Sequence, residues 1–331
     1  MSRAARWRHA LLVVALVLAV GTLARAQSPP ARSLGKVTLG LSVAKTFEFL
    51  PAHAADDLGT WKKRGLEVTI VAFPGDARLQ QAFAAGSIEF GLASASGSLS
   101  AIAKGLDTRL VGAISNSVKL MGLVAHPDIK SKEDLRGKTV GATSPNALTD
   151  VLVKYLAKKV TGDAERGIRR AHLGGFQNQV AALKTGQTQA FVWTLEGIFE
   201  TEKQGVGKFL LSFGDEFPDF AFEVIVATRK LIDEKPEVVR AFLEGWYEAQ
   251  AHLKGNRDYA VSLFERKMET PRDIGARVWE LDAQTLVADG VFSDKALLAA
   301  AQSLVDTDVI KEVPALDRWV DKRFLPVSWK R

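Results

Sequence analysis

The stretch AAGSIEFGLASASG, residues 84–97, decides how the rest of the chain is read. A helix ends at Gly86. IEFGLA (88–93) then has the near-continuous hydrophobicity of a strand covered on both faces. Small residues with hydroxyls follow at Ser94, Ser96 and Ser98. Further along, ALKTGQTQAFVWTLEG (182–197) repeats the grammar, with Gly186 in the place of Gly86 and Trp193 and Thr194 in the places of Ala93 and Ser94. In an open α/β sheet a guest sits outside the carboxyl ends of the strands, where small hydroxyl residues leave room and offer hydrogen bonds. The two segments are read as matching strand ends in two lobes that face one crevice.

The alternation of strand and helix extends outward from both segments, the mark of a mostly parallel sheet. VTLGLS (37–42), LEVTIVAF (66–73) and IEFGLA read as strands. Helices are expected over 50–65 and from Gly75-Asp76 to Gly86. KTVGATS (138–144) then restarts the pattern of KVTLGLS (36–42), followed by a helix over 146–159, a strand over 168–173, a helix over 176–185 and a strand over 188–193. RLVGAISNSVKLMGLVAHPD (109–128) and FAFEVIVATR (220–229) are strand-like throughout and are read as crossings between the lobes. After Lys235-Pro236 come amphipathic helices over 237–255, 258–269 and 294–305, expected to pack on the first lobe and end across the second. The fold class is therefore α/β with two lobes: lobe I from 36–120 plus 220–331, and lobe II from 123–217.

The first 26 residues stand apart. Arg3, Arg6 and Arg8 precede an apolar run, LLVVALVLAV, too short to span a bilayer comfortably, and Ala24-Arg25-Ala26 supplies small residues for a signal peptidase. A cut between Ala26 and Gln27 and release into a Gram-negative periplasm are expected. Removing the four arginines of this segment from 44 basic residues leaves 40 against 38 acids, a net charge of +2. The pI of 9.4 therefore argues for no nucleic-acid partner. With no cysteine in 331 residues, disulfides, thiolate metal sites and cysteine catalysis are excluded, and stability must come from a core.

Catalytic signatures are missing. There is no phosphate-binding G-x-x-x-x-G-K-[ST], no H-E-x-x-H and no G-x-S-x-G. The histidines at 9, 53, 126, 172 and 252 have no ligand spacing. Asp56-Asp57 fits a solvated helix face and Glu133-Asp134 the start of a short helix, so neither makes an acid–base pair. The chain is read as a non-enzyme without a cofactor. What the strand ends do suit is binding: Ser42 after the first strand, Ser94 and Ser96 after the third, Thr143, Ser144 and Asn146 before the second-lobe helix, and Trp193 and Thr194 after its last strand.

Taken in order over 36–191, FEFLPAHAADDLGTWKKRGLEVTIV, GDARLQQAFAAGSIEFGLASAS, IKSKEDLRGKTVGATS and VAALKTGQTQAF resemble the periplasmic solute-binding proteins of ABC importers in the nitrate, sulfonate, taurine and thiamine-precursor group. That resemblance implies a two-lobed type II binding fold crossed twice by the chain. It also implies a small-molecule ligand, a permease partner at the inner membrane and a monomeric working state. Carried over by motif position, the contacts would be Ser42, Lys45, Phe47, Ser94, Ser96, Ser144 and Asn146, with Trp193 opposite. Of the aromatic residues near these strand ends, Phe73 and Phe90 lie within strand patterns and are read as core, whereas Phe47 and Trp193 lie at or beyond strand ends and are open to either a core or a pocket-lining role. The implied solute is a small sulfonate, carboxylate or aromatic acid. Alternatives are a pyrimidine or thiamine precursor, whose binders carry Trp-x-Pro-Asn where this chain has Phe49-Leu50-Pro51-Ala52, a biosynthetic relative, and a sensor serving a membrane receptor.

Overall fold

The computed structural model describes residues 33–217 and 219–329. The signal segment read at residues 1–26, with its cut, lies outside them. The chain runs through β1 (Gly35–Leu41), α1 (Leu50–Asp57), β2 (Leu66–Ala72), α2 (Asp76–Ala84), β3 (Phe90–Ser94), α3 (Ala95–Ala103) and β4 (Thr108–Ala113). It then builds β5 (Met121–Ala125), β6 (Thr139–Ala142), α4 (Leu148–Thr161), β7 (Arg169–His172), α5 (Phe176–Lys184), β8 (Ala190–Thr194), α6 (Leu195–Lys203) and β9 (Lys208–Ser212). It returns through β10 (Glu223–Thr228) to α7 (Arg229–Glu234), α8 (Pro236–Gly255), α9 (Arg257–Met268), α10 (Arg272–Asp282) and α11 (Asp294–Asp306).

Two five-stranded sheets share one plan, ordered β2-β1-β3-β10-β4 and β7-β6-β8-β5-β9. In each, the strand second from one edge (β1 or β6) is flanked by two parallel neighbours, and one antiparallel strand (β10 or β5) is inserted next to the third. The repeat read from the glycines is borne out. Strand β3 and helix α3 begin at Phe90 and Ala95, and β8 and α6 begin at Ala190 and Leu195. Gly86 and Gly186, with φ of +68° and +74°, follow the helices that precede these strands, in the left-handed conformation that glycine adopts without strain.

The segment over 109–128 differs from its reading as strand throughout. It divides into β4 and β5, because the chain must leave one sheet before it can enter the other. Ser115 Oγ donates to the carbonyl of Ser117 at 3.0 Å, turning the backbone between them. The return crossing runs alongside: Phe222 N–H donates to Ser115 O at 2.9 Å, and Ala95 N–H to Phe222 O at 2.7 Å. The connection between lobes is thus a pair of hydrogen-bonded strand extensions, the form of a hinge.

Phe242 of α8 stacks on Phe90 at 3.9 Å and on Trp61 at 5.0 Å, and Trp61 Nε1 donates to Phe242 O at 2.9 Å. Helix α10 reaches α6, where the Arg277 guanidinium lies 3.6 Å from the Phe199 ring centroid and Lys203 pairs with Asp273 at 2.7 Å. Helix α11 lies between the lobes, and its Asp306 carbonyl accepts from Lys158 of α4 at 3.0 Å. Phe242 is fully buried between two rings. Phe242→Ala is expected to cost about 3–5 kcal/mol, the range for a core phenylalanine, read as a lower denaturation midpoint in urea.

Candidate functional site

The carboxyl ends of β1, β3, β8 and the start of β10 converge on a cavity with about 450 Å³ of atom-free space, of which about 50 Å³ admits the centre of a water molecule. It is lined from lobe I by Ser42, Val43, Lys45, Thr46, Asp76 and Ser94, and from lobe II by Met121, Thr143, Ala147, Leu148, Thr149, Trp193 and Thr194, with Phe222 and Glu223 at the hinge. A wider opening outside it shares Val43, Lys45 and Trp193 and adds Phe73, Phe176, Arg266, Lys267 and Glu269.

The lobes touch across this cavity. Ser94 caps α3: its Oγ accepts from Gly97 N–H at 3.1 Å and from Leu148 N–H of lobe II at 3.4 Å, and donates to Asp76 Oδ2 at 2.6 Å. Ser144 Oγ accepts from Ala77 N–H at 3.3 Å, and Lys45 pairs with Glu200 of α6. Two glycines make room for what faces the cavity. A Cβ on Gly97 would fall 2.5 Å from Asp76 Oδ2, and one on Gly197 would fall 2.3 Å from Trp193 Cδ1.

Behind the walls lies a set of buried acids. Thr46 donates to Glu48, and in the same Thr-x-Glu spacing Thr194 donates to Glu196. Burial, then the charge of Glu48, pushes Glu196 up to about 8. Burial likewise pushes Asp282 up to about 8, with Glu196 adding to the rise. Glu48 is raised well above the ordinary carboxylate range by burial and by Asp282. Burial raises Asp76, against the pull of the Ser94 hydroxyl. Glu223 rises through burial and then through Asp76, Glu48 and Glu196.

Of the residues singled out from the sequence, Ser42, Lys45, Ser94, Trp193 and Thr194 line the inner cavity. Ser144 lies beside it, bonded to the start of α2, and Asn146 occupies a left-handed turn (φ +61°) whose N–H donates to Asp150 at 2.9 Å. Ser96 is fully buried behind the wall. Phe47 belongs to the lobe I core, edge-on to Phe264 at 5.6 Å, because the turn over Phe47–Phe49 tucks under α9. Phe90 is core too, whereas Phe73 lines the outer opening. Glu223 was missed, although FAFEVIVATR carries a lone acid inside an apolar strand, and Asp76 was read only as a helix start.

Residues 46–258 match the family described as NMT1/THI5 like. YtlA of Bacillus subtilis, named as a candidate binding protein, is 24% identical over 242 residues, covering 70% of this chain and 71% of its own. Among solved structures, the alkanesulfonate-binding protein SsuA of Xanthomonas axonopodis pv. citri, bound to MOPS, superposes with a TM-score of 0.71 at 20% identity, over 88% of this chain and 97% of that one. The desulfurization enzyme DSZB superposes at 0.62 and 17% identity, over 89% and 98%. At such identities the likeness is one of fold, and it confirms the periplasmic-binding-protein architecture.

The raised acids set a pH dependence. Folded, Glu196 and Asp282 keep protons that the unfolded chain releases above its ordinary values of 4.5 and 3.8. Stability is therefore full at low pH and is lost as pH rises toward about 8. Urea unfolding is expected to lose on the order of 2–4 kcal/mol between pH of about 5 and about 8.5, with a smaller loss in Glu196→Gln. A flat profile would contradict it.

Proposed function

Starting from a chain that belongs to the NMT1/THI5-like family, we propose that it is the solute-binding component of an ABC importer, working as a monomer in the periplasm and handing its cargo to an inner-membrane permease. The observation that carries this reading is the cavity itself. It lies where strand ends of two like sheets meet, its wall is split between the lobes, and two antiparallel crossings form the hinge. Such a site couples occupancy to shape. A solute that touches both lobes stabilises the closed form by its differential affinity for it. SsuA's name as a binding protein supports the same reading.

The lining suits capture better than chemistry. The Ser94 proton is donated to Asp76, and among the described residues no histidine lines the cavity to act as a base. Trp193, Phe222, Met121 and Leu148 offer an apolar wall for an organic body, and hydroxyls of Ser42, Thr46 and Thr194 offer polar contacts. The sulfonate, carboxylate or aromatic acid expected from the resemblance needs a cation, and among the described residues the inner lining supplies Lys45 alone, already paired with Glu200.

Trp193→Ala and Ser94→Ala are each expected to weaken solute binding at least tenfold while the protein still unfolds cooperatively. Calorimetric titration with the compound that raises the melting temperature most in a thermal-shift screen measures this. Unchanged affinity in both variants would take the cavity out of the account.

A further inference from the structure

We propose that the inner cavity receives the protonated amine of a small organic solute, an ammonium or amidinium group held between the carboxylates of Asp76 and Glu223. This rests on the solute-capture reading and assigns its ligand class.

The two acids are 6% and 7% exposed, both line the cavity, and each has an oxygen, Asp76 Oδ1 and Glu223 Oε2, without a hydrogen-bond partner among the described residues. A buried carboxylate oxygen left unpaired is costly, and the natural complement is an N–H donor with positive charge. The acids are neighbours. Glu223 stands directly opposite Ser94 in the β3–β10 ladder, and Ser94 holds Asp76 at 2.6 Å. Each is fixed from behind, Glu223 by its strand at the hinge and Asp76 by the first turn of α2, with Gly97 leaving space for its carboxylate.

The remaining charges favour the same ligand. Helix starts at the cleft, which would otherwise attract an anion, are already complemented by Asp76 on α2, Asp150 on α4 and Glu196 on α6, and the start of α3 is capped by Ser94. Lys45 is neutralised by Glu200. Glu48 and Glu196, buried behind Glu223, offer no positive charge to an anion. Arg266 and Lys267 sit at the outer opening, exposed to solvent, where water and salt screen them. Without a guest, Asp76 and Glu223 are raised and hold protons more readily, so a cationic group entering between them would displace protons.

The test uses the full mature chain and three matched pairs: methylamine and methanesulfonate, butylamine and butanesulfonate, benzylamine and phenylmethanesulfonate. Titration calorimetry at pH of about 8 should show at least one amine binding tenfold or more tighter than its sulfonate, with proton release seen as a dependence of the heat on buffer. The preference should vanish in Asp76→Asn with Glu223→Gln, whose thermal unfolding shows that it remains folded. Where that pair fails to fold, Glu223→Gln alone should cut the amine preference at least fivefold. A sulfonate that binds as tightly as its amine, or an amine preference that survives these variants, overturns the assignment while solute capture stands. Silence of all six compounds overturns the assignment, and silence together with unchanged small-angle scattering across a broad solute panel overturns the capture reading as well.

Discussion

A hydroxyl has one proton to give, and Ser94 gives it to Asp76. Its lone pairs accept from the start of α3 in its own lobe and, at 3.4 Å, from Leu148 N–H of the other lobe. One small side chain therefore fixes a buried carboxylate, caps a helix and marks the line along which the lobes meet. A larger residue would fill the cavity, and an apolar one would take from Asp76 the hydroxyl that donates to it at 2.6 Å. The surroundings conform to this point: Gly97 has no side chain because Asp76 occupies that space, and Gly197 has none because Trp193 does.

The two lobes solve the same problem with different chemistry. Each ends its third strand in a hydroxyl residue that leads into a helix, Ser94 or Thr194. In lobe I the following helix is small-residue rich and its start is capped by the serine. In lobe II the same position after the hydroxyl carries Glu196, which accepts a hydrogen bond from Thr194 at the start of its own helix. One wall is thus acidic and narrow, the other aromatic and apolar, and a guest bridging them needs both a polar head and an organic body. The acids behind the walls hold protons because water is excluded from them and because they crowd one another.

The repeat was legible because glycines and strand-end hydroxyls punctuate it at equal intervals, and both sheets follow that punctuation. Ser42, Lys45, Ser94, Trp193 and Thr194 were legible for the same reason: strand ends on one edge must face one crevice. Phe47 was not, because its neighbour is Phe264, brought in by a helix more than half the chain away. The charge of the cavity was hidden for a related reason. Asp76 looks like any acid at a helix start, and only the fold shows that its carboxylate turns inward to Ser94. Glu223 broke an apolar strand pattern, a signal that gains meaning once the antiparallel insertion of β10 puts it opposite Ser94.

Whether a guest closes one lobe on the other is the most direct test of this account. The chain has no cysteine, so spin labels placed by Lys63→Cys in lobe I and Lys184→Cys in lobe II report a single distance by pulsed electron resonance. With the most stabilising solute the account predicts a shorter, narrower distribution than without it. Identical distributions in the two samples, with binding confirmed by calorimetry, would contradict it.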